Sequence, residues 1–418
     1  MKYINRHAGM ALARLSGSFP VILVTGPRQV GKTTLLQNTP DTRDLPYLSF
    51  DDPSETLSAK ADPKTFLSLH EAPVVFDEIQ YVPELFPYFK MAADAKKTKG
   101  MYYLTGSQQF HLMKNVGESL AGRIGILQLL GLSLREITEN PGGKPCTDPF
   151  IPTREYLAGR NKTAKAHSKA VSLSPPDIWK IIHRGSFPAV VSGYSPGTAF
   201  YDAYIRTYVE RDVRALAQVG DELQFIQFLS VVAGRTGQML NYRDMCRDVG
   251  ISEPTAKKWL SILVTSGLVY LLPPYHTNIE KRVVKTPKLY FLDTGLAAYL
   301  TKWTTAEVLM QGAMAGAFFE TFVISEILKS YYNAGRDPAL FYYRDKDQKE
   351  IDLLILENGC LHPLEIKKTA VPKPQDAAVF KVLSSVKGVT VGAGGVISLI
   401  ESLAILEEDR YAIPVTFL

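Results

Sequence analysis

The sequence predicts an α/β protein in three parts: a parallel sheet flanked by helices, a helical middle region, and a second α/β domain. Three observations lead to this prediction. Short apolar runs alternate with helical patterns in the first third of the chain, which is typical of a parallel sheet. A helix-turn-helix pattern follows at about 239–275, and alternating strands follow a helix-patterned segment beyond 286. The predicted boundaries are 1–138, 139–176, 177–285 and 286–418.

The first part contains five apolar runs, with helical stretches near 31–38, 64–70 and 83–97 between them. The segment 139–176 has a different character, because it is rich in Pro, Gly, Ser, Thr and Lys and lacks periodicity. We interpret this segment as a linker or an exposed insertion. The apolar runs are VILVTG (21–26), PYLSFDD (46–52), PVVFDEIQ (73–80), MYYLTGS (101–107) and RIGILQLLGLS (123–133).

Composition narrows the class of protein. The length of 418 residues suggests roughly two to four domains. The net charge of +5 is too small to indicate nucleic acid by itself. Cys146, Cys246 and Cys360 are far apart and form no CxxC pair, so we expect neither a zinc site nor a disulfide framework. No apolar stretch could serve as a signal peptide or a membrane span, so we expect a cytoplasmic protein without membrane contact.

A glycine-rich motif directly follows the first apolar run. GPRQVGKT (26–33) matches GxxxxGK[ST] in full and lies between a predicted strand and a predicted helix, which is the setting of a phosphate-binding P-loop. Its backbone N–H groups would face phosphate oxygens, Lys32 would reach the β- and γ-phosphates, and Thr33 would ligate Mg²⁺. We therefore expect ATP and Mg²⁺ as ligands. The predicted nucleotide-binding residues are Gly26, Pro27, Arg28, Gln29, Val30, Gly31, Lys32, Thr33 and Thr34.

Polar residues end two further strands of this part. VVFDEIQ (74–80) ends in Asp77, which would hold Mg²⁺ through its water shell, and Glu78, which would polarise the attacking water. YYLTGS ends at Ser107, which would contact the γ-phosphate or, alternatively, cap a helix. Together with the glycine-rich motif, these residues predict a parallel-sheet P-loop ATPase domain. Its catalytic residues would be Lys32, Asp77, Glu78 and Ser107.

The chain resembles bacterial and archaeal ATPases of the AAA type that join a P-loop domain to a C-terminal domain of unknown function. The matching segments span nearly the whole sequence: GPRQVGKTTLL, VVFDEIQ, LTGSQQF, SLAGRIGILQLLGLSLREI, YVERDVR, KLYFLDTGLAAYL and the FFE…EID…EIKK tail. The resemblance implies ATP binding more directly than a biological role. It also implies an arginine finger from a neighbouring subunit or domain. Arg123, Arg211 and Arg214 are candidates, and a surface or core-edge salt bridge is the alternative role for each.

A winged-helix pattern follows in the middle region. A helix from Tyr242 to Val249 would end at Gly250, and Ser252 would cap a second helix with Pro254 in its first turn. Lys257 and Lys258 would be exposed on this second helix, which enters the major groove in DNA readers. Protein contact, or use as a lid over the ATP site, is the alternative.

The last part carries a set of charged residues in a recognisable order. Glu320 lies in a helix-patterned segment, Asp352 in the strand KEIDLLIL, and Glu365 and Lys367 in the strand LHPLEIKK. Residues at i and i+2 of a strand share a face, so Glu365 and Lys367 would converge with Asp352. This order resembles the PD-(D/E)XK nuclease fold, and we therefore predict a restriction-endonuclease-like α/β domain.

The resemblance gives each of these residues a catalytic role. Asp352 and Glu365 would ligate Mg²⁺, Glu320 would bind a metal water, and Lys367 would orient or activate the attacking water. A solvated charged face, or an inactive nuclease-like fold used for binding, explains the same residues. Tyr342, Tyr343, Arg344, Lys346 and Lys349 would suit DNA or form a charged hairpin rim.

Two hypotheses of function follow. In the first, an ATPase couples its nucleotide state to DNA binding, with metal-dependent DNA cleavage by the C-terminal domain as an added activity. In the second, the protein is a nucleotide-dependent switch or scaffold that regulates a partner protein or its own assembly into homo-oligomers, and the nuclease-like domain is inactive.

Overall fold

A computed structural model of the protein describes residues 3–107, 120–138, 148–166, 173–208, 222–276, 286–386 and 388–418. For residues 164–166 and 385 only the backbone is described. In these ranges the chain forms three sheets and the helices that cover them. None of the helices in the described ranges is long and apolar enough to cross a bilayer.

The first sheet is parallel, as predicted, and its strand order is β2-β3-β4-β1-β5. Its strands are β1 (Val21–Thr25), β2 (Tyr47–Ser49), β3 (Val74–Asp77), β4 (Tyr102–Gly106) and β5 (Ile124–Gln128). The helices of this part are α1 (Ala8–Ser16), α2 (Lys32–Asn38), α3 (Pro53–Ala61), α4 (Pro63–Leu69), α5 (Phe86–Lys96) and α6 (Leu134–Thr138). Because β4 lies between β1 and β3, the ends of these three strands meet at one edge of the sheet.

The central strands of this sheet are buried on both faces, which explains their continuous apolar runs. In β1, Ile22 and Val24 point into a core shared with the rest of the protein, whereas Val21 and Leu23 point into a separate core under α3, α4 and α5. The shared core also contains Leu418 at the end of the chain. One face of the sheet is therefore the surface on which the other parts of the protein pack.

The predicted linker or insertion at 139–176 is described over 148–166. This stretch contains the helix α7 (Arg154–Ala166), in which Leu157 is buried. Phe150 is fully buried, and its N–H donates to the Ser330 hydroxyl at 3.0 Å. The described part of the segment is thus docked on the protein, and the boundaries of the segment stay a prediction.

The two helices of the predicted winged-helix pattern are present. The first helix runs over Tyr242–Val249 and ends at Gly250, whose φ is +77°. The second, Glu253–Thr265, is capped by the Ser252 side chain, which accepts from the Thr255 N–H. The helices of this region are α8 (Pro175–Arg184), α9 (Pro188–Val191), α10 (Gly197–Tyr208), α11 (Glu222–Gly234), α12 (Tyr242–Val249) and α13 (Glu253–Thr265).

The second sheet joins the middle region to the residues that follow it. Its strands are β6 (Gln238–Met239), β7 (Val269–Leu272) and β8 (Lys288–Phe291), in the antiparallel order β6-β8-β7. Although β8 lies beyond the predicted boundary at 286, its pairing places it in the sheet of the winged helix.

The C-terminal part is a mixed sheet in the order β14-β15-β13-β11-β10-β9, with β12 paired to β11. Strands β9 to β11 are antiparallel neighbours, whereas β11, β13 and β15 run parallel. This mixed sheet is compatible with the predicted restriction-endonuclease-like domain. Its strands are β9 (Leu340–Arg344), β10 (Glu350–Glu357), β11 (Cys360–Lys367), β12 (Thr390–Val391), β13 (Gly394–Ser398), β14 (Ala404–Glu407) and β15 (Arg410–Pro414).

A long buried helix lies between this sheet and the other two parts. It is the third of the helices in this part, which are α14 (Thr294–Leu300), α15 (Ala306–Gln311) and α16 (Ala315–Asn333). A 3-10 helix over Pro374–Ser385 packs on the mixed sheet.

A buried ion pair fastens the start of the chain to the segment after β5. The Arg6 guanidinium lies 3.1 Å from Glu136 and donates to the carbonyls of Val30 and Leu130 at 2.7 and 2.8 Å. Burial alone would raise the pKa of Glu136, but the Arg6 charge and donors from His7 and Ser133 lower it. Removing one partner of such a pair leaves an uncompensated charge in the core.

We therefore expect Arg6→Met to lower the free energy of unfolding by about 3–5 kcal/mol, measured by urea denaturation. The matched control is Arg43→Met, because Arg43 pairs with Asp44 at 3.1 Å but both side chains are more than half exposed. This control should change the free energy by less than about 1 kcal/mol. Equal losses in the two variants would show that the Arg6–Glu136 pair does not hold the N-terminal segment in place.

Candidate functional site

The P-loop owes its shape to two glycines. Gly26 directly follows β1 with φ +145°, and a Cβ atom there would lie 2.0 Å from the Leu129 carbonyl oxygen. Gly31 has φ +91° and is the residue before α2. Both conformations strongly favour glycine. The loop therefore curls tightly between strand and helix, as the sequence motif predicted.

The Lys32 side chain lies inside the curl of its own loop. Its ammonium donates to the carbonyls of Gly26 and Pro27 at 3.1 and 2.8 Å. The next residue, Thr33, donates its hydroxyl hydrogen to Asp77 at 2.8 Å. The structure thus brings Lys32, Thr33 and Asp77 to the same edge of the sheet.

Asp77 accepts hydrogen bonds from three hydroxyl groups. Besides Thr33 these are Tyr47, at 2.6 Å, and Thr105, through a short contact. Burial and the bond to Asp77 raise the pKa of Tyr47. No sequence motif assigned a role to Tyr47 or Thr105; Tyr47 begins β2 and Thr105 lies next to the last residue of β4, the two strands that flank β3.

Glu78 adopts a left-handed conformation, with φ +56°, which is uncommon for a residue with a side chain. Its N–H donates to the Thr105 hydroxyl at 3.2 Å. Its carboxylate accepts from Ser107 at 3.4 Å and from the Gln80 amide through a short contact. The structure therefore brings Ser107 and Glu78 together. It also adds Gln80, for which no role was predicted although it lies in the same motif as Glu78.

Of the three arginine-finger candidates, Arg211 and Arg214 lie outside the described residues. Arg123 forms a bidentate ion pair with Asp94 on α5, with N–O distances of 2.5 and 3.1 Å. Its carbonyl oxygen accepts from the N–H of Val21, at the start of β1. Arg123 thus lies at the edge of the sheet opposite its own P-loop, which places it away from that nucleotide site.

The P-loop contacts the winged-helix region. Gly267, in the turn between α13 and β7, has φ +73°, and a Cβ atom there would lie 3.0 Å from the Pro27 ring. A small cavity behind the loop is lined by Pro27, Val30, Leu268, Asp293 and Lys329, among others. All three parts of the protein therefore meet directly behind the loop.

The outer face of α13 is exposed but only weakly basic. Lys257 and Lys258 are both exposed. Lys257 pairs with Glu253 one turn earlier, at 2.7 Å, which raises the pKa of the lysine and lowers that of the glutamate. The helix is therefore accessible to a partner, and part of its positive charge is already neutralised.

In the C-terminal domain, three of the four predicted residues converge. The Ile366 N–H donates to Asp352 at 2.9 Å, and the Asp352 N–H donates to Glu365 at 3.4 Å. The Lys367 ammonium lies 2.7 Å from Glu365 and 3.7 Å from Asp352. Burial, then the charge of Asp352, raise the pKa of Glu365 to about 8, and Lys367 opposes this shift.

Glu320 is connected to the same cluster by a lysine that belongs to another sheet and lies near both Glu320 and Asp352. The Lys288 ammonium, from β8, lies 3.2 Å from Glu320, 2.6 Å from Glu350 and 4.0 Å from Asp352. The Tyr290 hydroxyl donates to Glu320 at 2.6 Å. Lys288, Tyr290 and Glu350 were not predicted from the sequence, in which the available signal was a lysine at the start of the apolar strand KLYF.

The pKa values of the cluster follow from burial and from these charges. Burial and the charge of Asp352 raise the pKa of Glu320, although Lys288 and Tyr290 oppose the shift. Burial would lower the pKa of Lys288, but the three surrounding carboxylates raise it. The lysine therefore stays charged.

These residues do not fit a divalent metal in this arrangement. A magnesium ion needs close octahedral coordination by oxygen. Here a lysine ammonium lies within 4.0 Å of each carboxylate instead: Lys288 beside Glu320 and Asp352, and Lys367 beside Glu365. Within the described ranges, no group of three His, Cys, Asp or Glu side chains is arranged to hold a metal ion.

Comparison with known protein families finds three matches along the chain. Residues 18–138 match the family model of an AAA domain. Residues 175–307 match a domain of unknown function (DUF8612), and residues 315–418 match another (DUF4143).

The chain is also similar to whole proteins. It is 28% identical over 374 residues to "Uncharacterized protein Rv2008c" of Mycobacterium tuberculosis, which covers 88% of this chain and 75% of that protein. Among solved structures, the Walker-type ATPase PABY2304 of Pyrococcus abyssi aligns with a TM-score of 0.41 and 16% identity, covering 71% of this chain and 96% of that one. The RuvB Holliday junction branch migration motor of Thermotoga maritima aligns with a TM-score of 0.28 and 14% identity, covering 63% and 88%.

The family match to an AAA domain coincides with the residues that form the parallel sheet and the curled glycine loop. Lys32, Thr33, Asp77 and Glu78 lie together at the carboxyl edge of that sheet, where P-loop enzymes bind nucleotide. Residues 18–138 are therefore an AAA-type P-loop ATPase domain, and the protein is an ATPase.

Proposed function

We propose that this ATPase couples its nucleotide state to DNA binding through the winged-helix region. The observation that carries the proposal is the contact between Pro27 of the P-loop and Gly267, which lies in the turn directly after α13. In winged helices the helix equivalent to α13 enters the major groove. A change in the loop would therefore reach the DNA-facing helix through a single contact.

The residue roles at the ATP site follow from the sequence motif and the local chemistry. Lys32 would leave the carbonyls of Gly26 and Pro27 and bind the β- and γ-phosphates. Because the Pro27 carbonyl would lose this partner, nucleotide binding changes the residue that touches Gly267. Glu78 would orient the attacking water, and Ser107 and Gln80 would position its carboxylate.

The donor set at this site fits Mg²⁺. Thr33 and Asp77 offer hard oxygen atoms, of the kind that Mg²⁺ prefers, 2.8 Å apart at the mouth of the loop. When bound, the ion would neutralise charge on the phosphates. Tyr47 and Thr105 would keep the Asp77 carboxylate oriented, since both donate to it.

We expect Lys32→Ala to abolish ATP binding and turnover, because the variant loses its phosphate contact. Glu78→Gln should keep ATP binding and lower turnover by about a hundredfold or more, since a general base contributes roughly that factor. Nucleotide binding is measured with a fluorescent ATP analogue, and turnover by phosphate release. Retained hydrolysis in Lys32→Ala would overturn the ATP-site assignment, and unchanged turnover in Glu78→Gln would remove Glu78 from its role.

DNA coupling is tested by fluorescence anisotropy of a labelled duplex with the full chain. We expect the affinity to differ between the nucleotide-free, ADP-bound and ATP-bound states, the last held by Glu78→Gln. Replacing Lys257 and Lys258 with Ala should weaken binding and reduce the slope of log affinity against log salt by about two. The matched control replaces Lys60 and Lys64, which are exposed on α3 and α4, so that net charge falls equally.

Two outcomes would contradict the coupling. Equal DNA affinity in all nucleotide states would separate the ATPase from the winged helix. No DNA binding, together with a nucleotide-dependent change in oligomeric state, would favour the switch that acts on a partner protein or a second copy of the chain.

Metal-dependent DNA cleavage by the C-terminal domain is a second candidate function. It is favoured by the convergence of Asp352, Glu365 and Lys367 on neighbouring strands of a mixed sheet, as in the PD-(D/E)XK nuclease fold that the sequence resembles. Since the cluster does not fit a metal as it stands, cleavage by this route requires the cluster to open first. Lys367 would then face the phosphate of the substrate.

If the domain cleaves DNA, linear or supercoiled substrate should be cut with Mg²⁺ or Mn²⁺, in the presence or absence of ATP. Cleavage should be lost in Lys367→Ala, which removes the ammonium next to both carboxylates, and kept in Lys368→Ala, which removes only the exposed lysine beside it. Products are resolved by gel electrophoresis. The candidate fails if the wild-type protein cuts under none of these conditions, or if the two variants cut equally well.

A further inference from the structure

The charge cluster of the C-terminal domain is completed by residues from the winged-helix sheet. Lys288 and Tyr290 lie two residues apart on β8 and therefore share one face of that strand. Both contact Glu320 on α16, at 3.2 and 2.6 Å. Lys288 also contacts Glu350 and Asp352 on β10. One strand of the middle region thus supplies the positive charge for three carboxylates of the next domain.

Lys288 is the more enclosed of the two ammonium groups in the cluster. Its side chain is 5% exposed, whereas that of Lys367 is 41% exposed. Lys367 could swing into solvent by rotating its own bonds. Lys288 lies behind the Tyr342 ring, 5.8 Å from its centroid, and its strand is paired on both sides. Its removal from the cluster therefore requires movement of β8 relative to the mixed sheet.

The fold that the sequence resembles would use these carboxylates to bind a divalent cation, and the structure does not fit that use. The space between Glu320, Glu350 and Asp352 holds a lysine ammonium instead. An ammonium and a divalent ion cannot share this space, because like charges repel strongly at such distances in a buried site.

We infer that Lys288 is an internal counter-cation that locks the winged-helix sheet to the C-terminal domain and excludes divalent metal from the Glu320–Asp352 cluster. The cluster is then an interdomain ion-pair lock while Lys288 is in place. It gains metal affinity only when β8 withdraws. This inference concerns metal binding alone, so it stands or fails separately from the proposed coupling to DNA.

Mn²⁺ binding to the full chain tests the lock directly. Free Mn²⁺ is measured by electron paramagnetic resonance, without nucleotide, for the wild type, for Lys288→Met, and for each protein combined with Asp352→Asn. The difference within each pair counts only the Mn²⁺ bound at the cluster and cancels any Mn²⁺ at the P-loop. The matched control is Lys329→Met, because Lys329 is equally buried and pairs with Glu326 at 2.7 Å in a different part of α16.

We expect no Asp352-dependent Mn²⁺ binding in the wild type or in Lys329→Met. Lys288→Met should gain one Asp352-dependent Mn²⁺ per chain. Mn²⁺ should also raise the unfolding temperature of Lys288→Met more than that of Lys288→Met combined with Asp352→Asn, because a ligand that binds only the folded state stabilises it.

Two results would overturn the inference. Asp352-dependent Mn²⁺ binding to the wild type would show that the ion and Lys288 coexist. No gain of Mn²⁺ in a folded Lys288→Met would show that the lysine does not exclude it. If Lys288→Met fails to fold, Lys288→Met combined with Glu350→Gln removes one of the unpaired carboxylates and serves in its place.

Discussion

The architecture depends on the segment between β5 and the end of α6, where buried polar contacts tie the ATPase sheet to the C-terminal domain. Glu136 holds Arg6 and, through it, the Val30 carbonyl of the P-loop. The Leu134 N–H donates to Glu326 on α16 at 2.6 Å, and Lys329 on the same helix donates to the Leu132 carbonyl at 3.1 Å. Each of these groups would be costly to bury without its partner. The ATPase sheet is therefore fixed to the C-terminal domain by contacts that must all be present together.

Two elements run from this junction to the Lys288 cluster. On α16, Glu320 and Glu326 are six residues apart and so point about 120° apart around the helix axis, one into the cluster and the other toward the ATPase domain. On the other path, β8 begins at Lys288 in the cluster, and Asp293, just beyond its end, lines the cavity behind Pro27. Because packed elements have discrete rather than continuously variable arrangements, these two elements are the route by which a shift at the P-loop would reach the contacts between Lys288 and its carboxylates.

The parts of this protein that sequence reasoning could predict are those controlled by local chemistry. Gly26 and Gly31 define the loop through their own backbone angles, and the limits of α12 and α13 follow from Gly250 and Ser252. The contacts that were missed join residues far apart in sequence. Arg6 and Glu136 are 130 positions apart, and no periodicity links them. In the sequence, Lys288 is simply one lysine in an apolar strand. Its role follows only from the packing of β8 against the helix that carries Glu320, 32 positions later.

A buried cluster of carboxylates needs positive charge, and a metal ion or a lysine can supply it. A metal is available to any fold that presents the right oxygens, whereas Lys288 reaches the cluster only when β8 is docked in one position. Buried ion pairs of this kind contribute little net stability compared with an apolar replacement, but they select one arrangement over others. Under the inferred lock, the same carboxylates would serve as a docking site while Lys288 is present and as a metal site after it leaves. The position of β8 would then determine whether the carboxylates of the C-terminal domain pair with Lys288 or bind a metal ion.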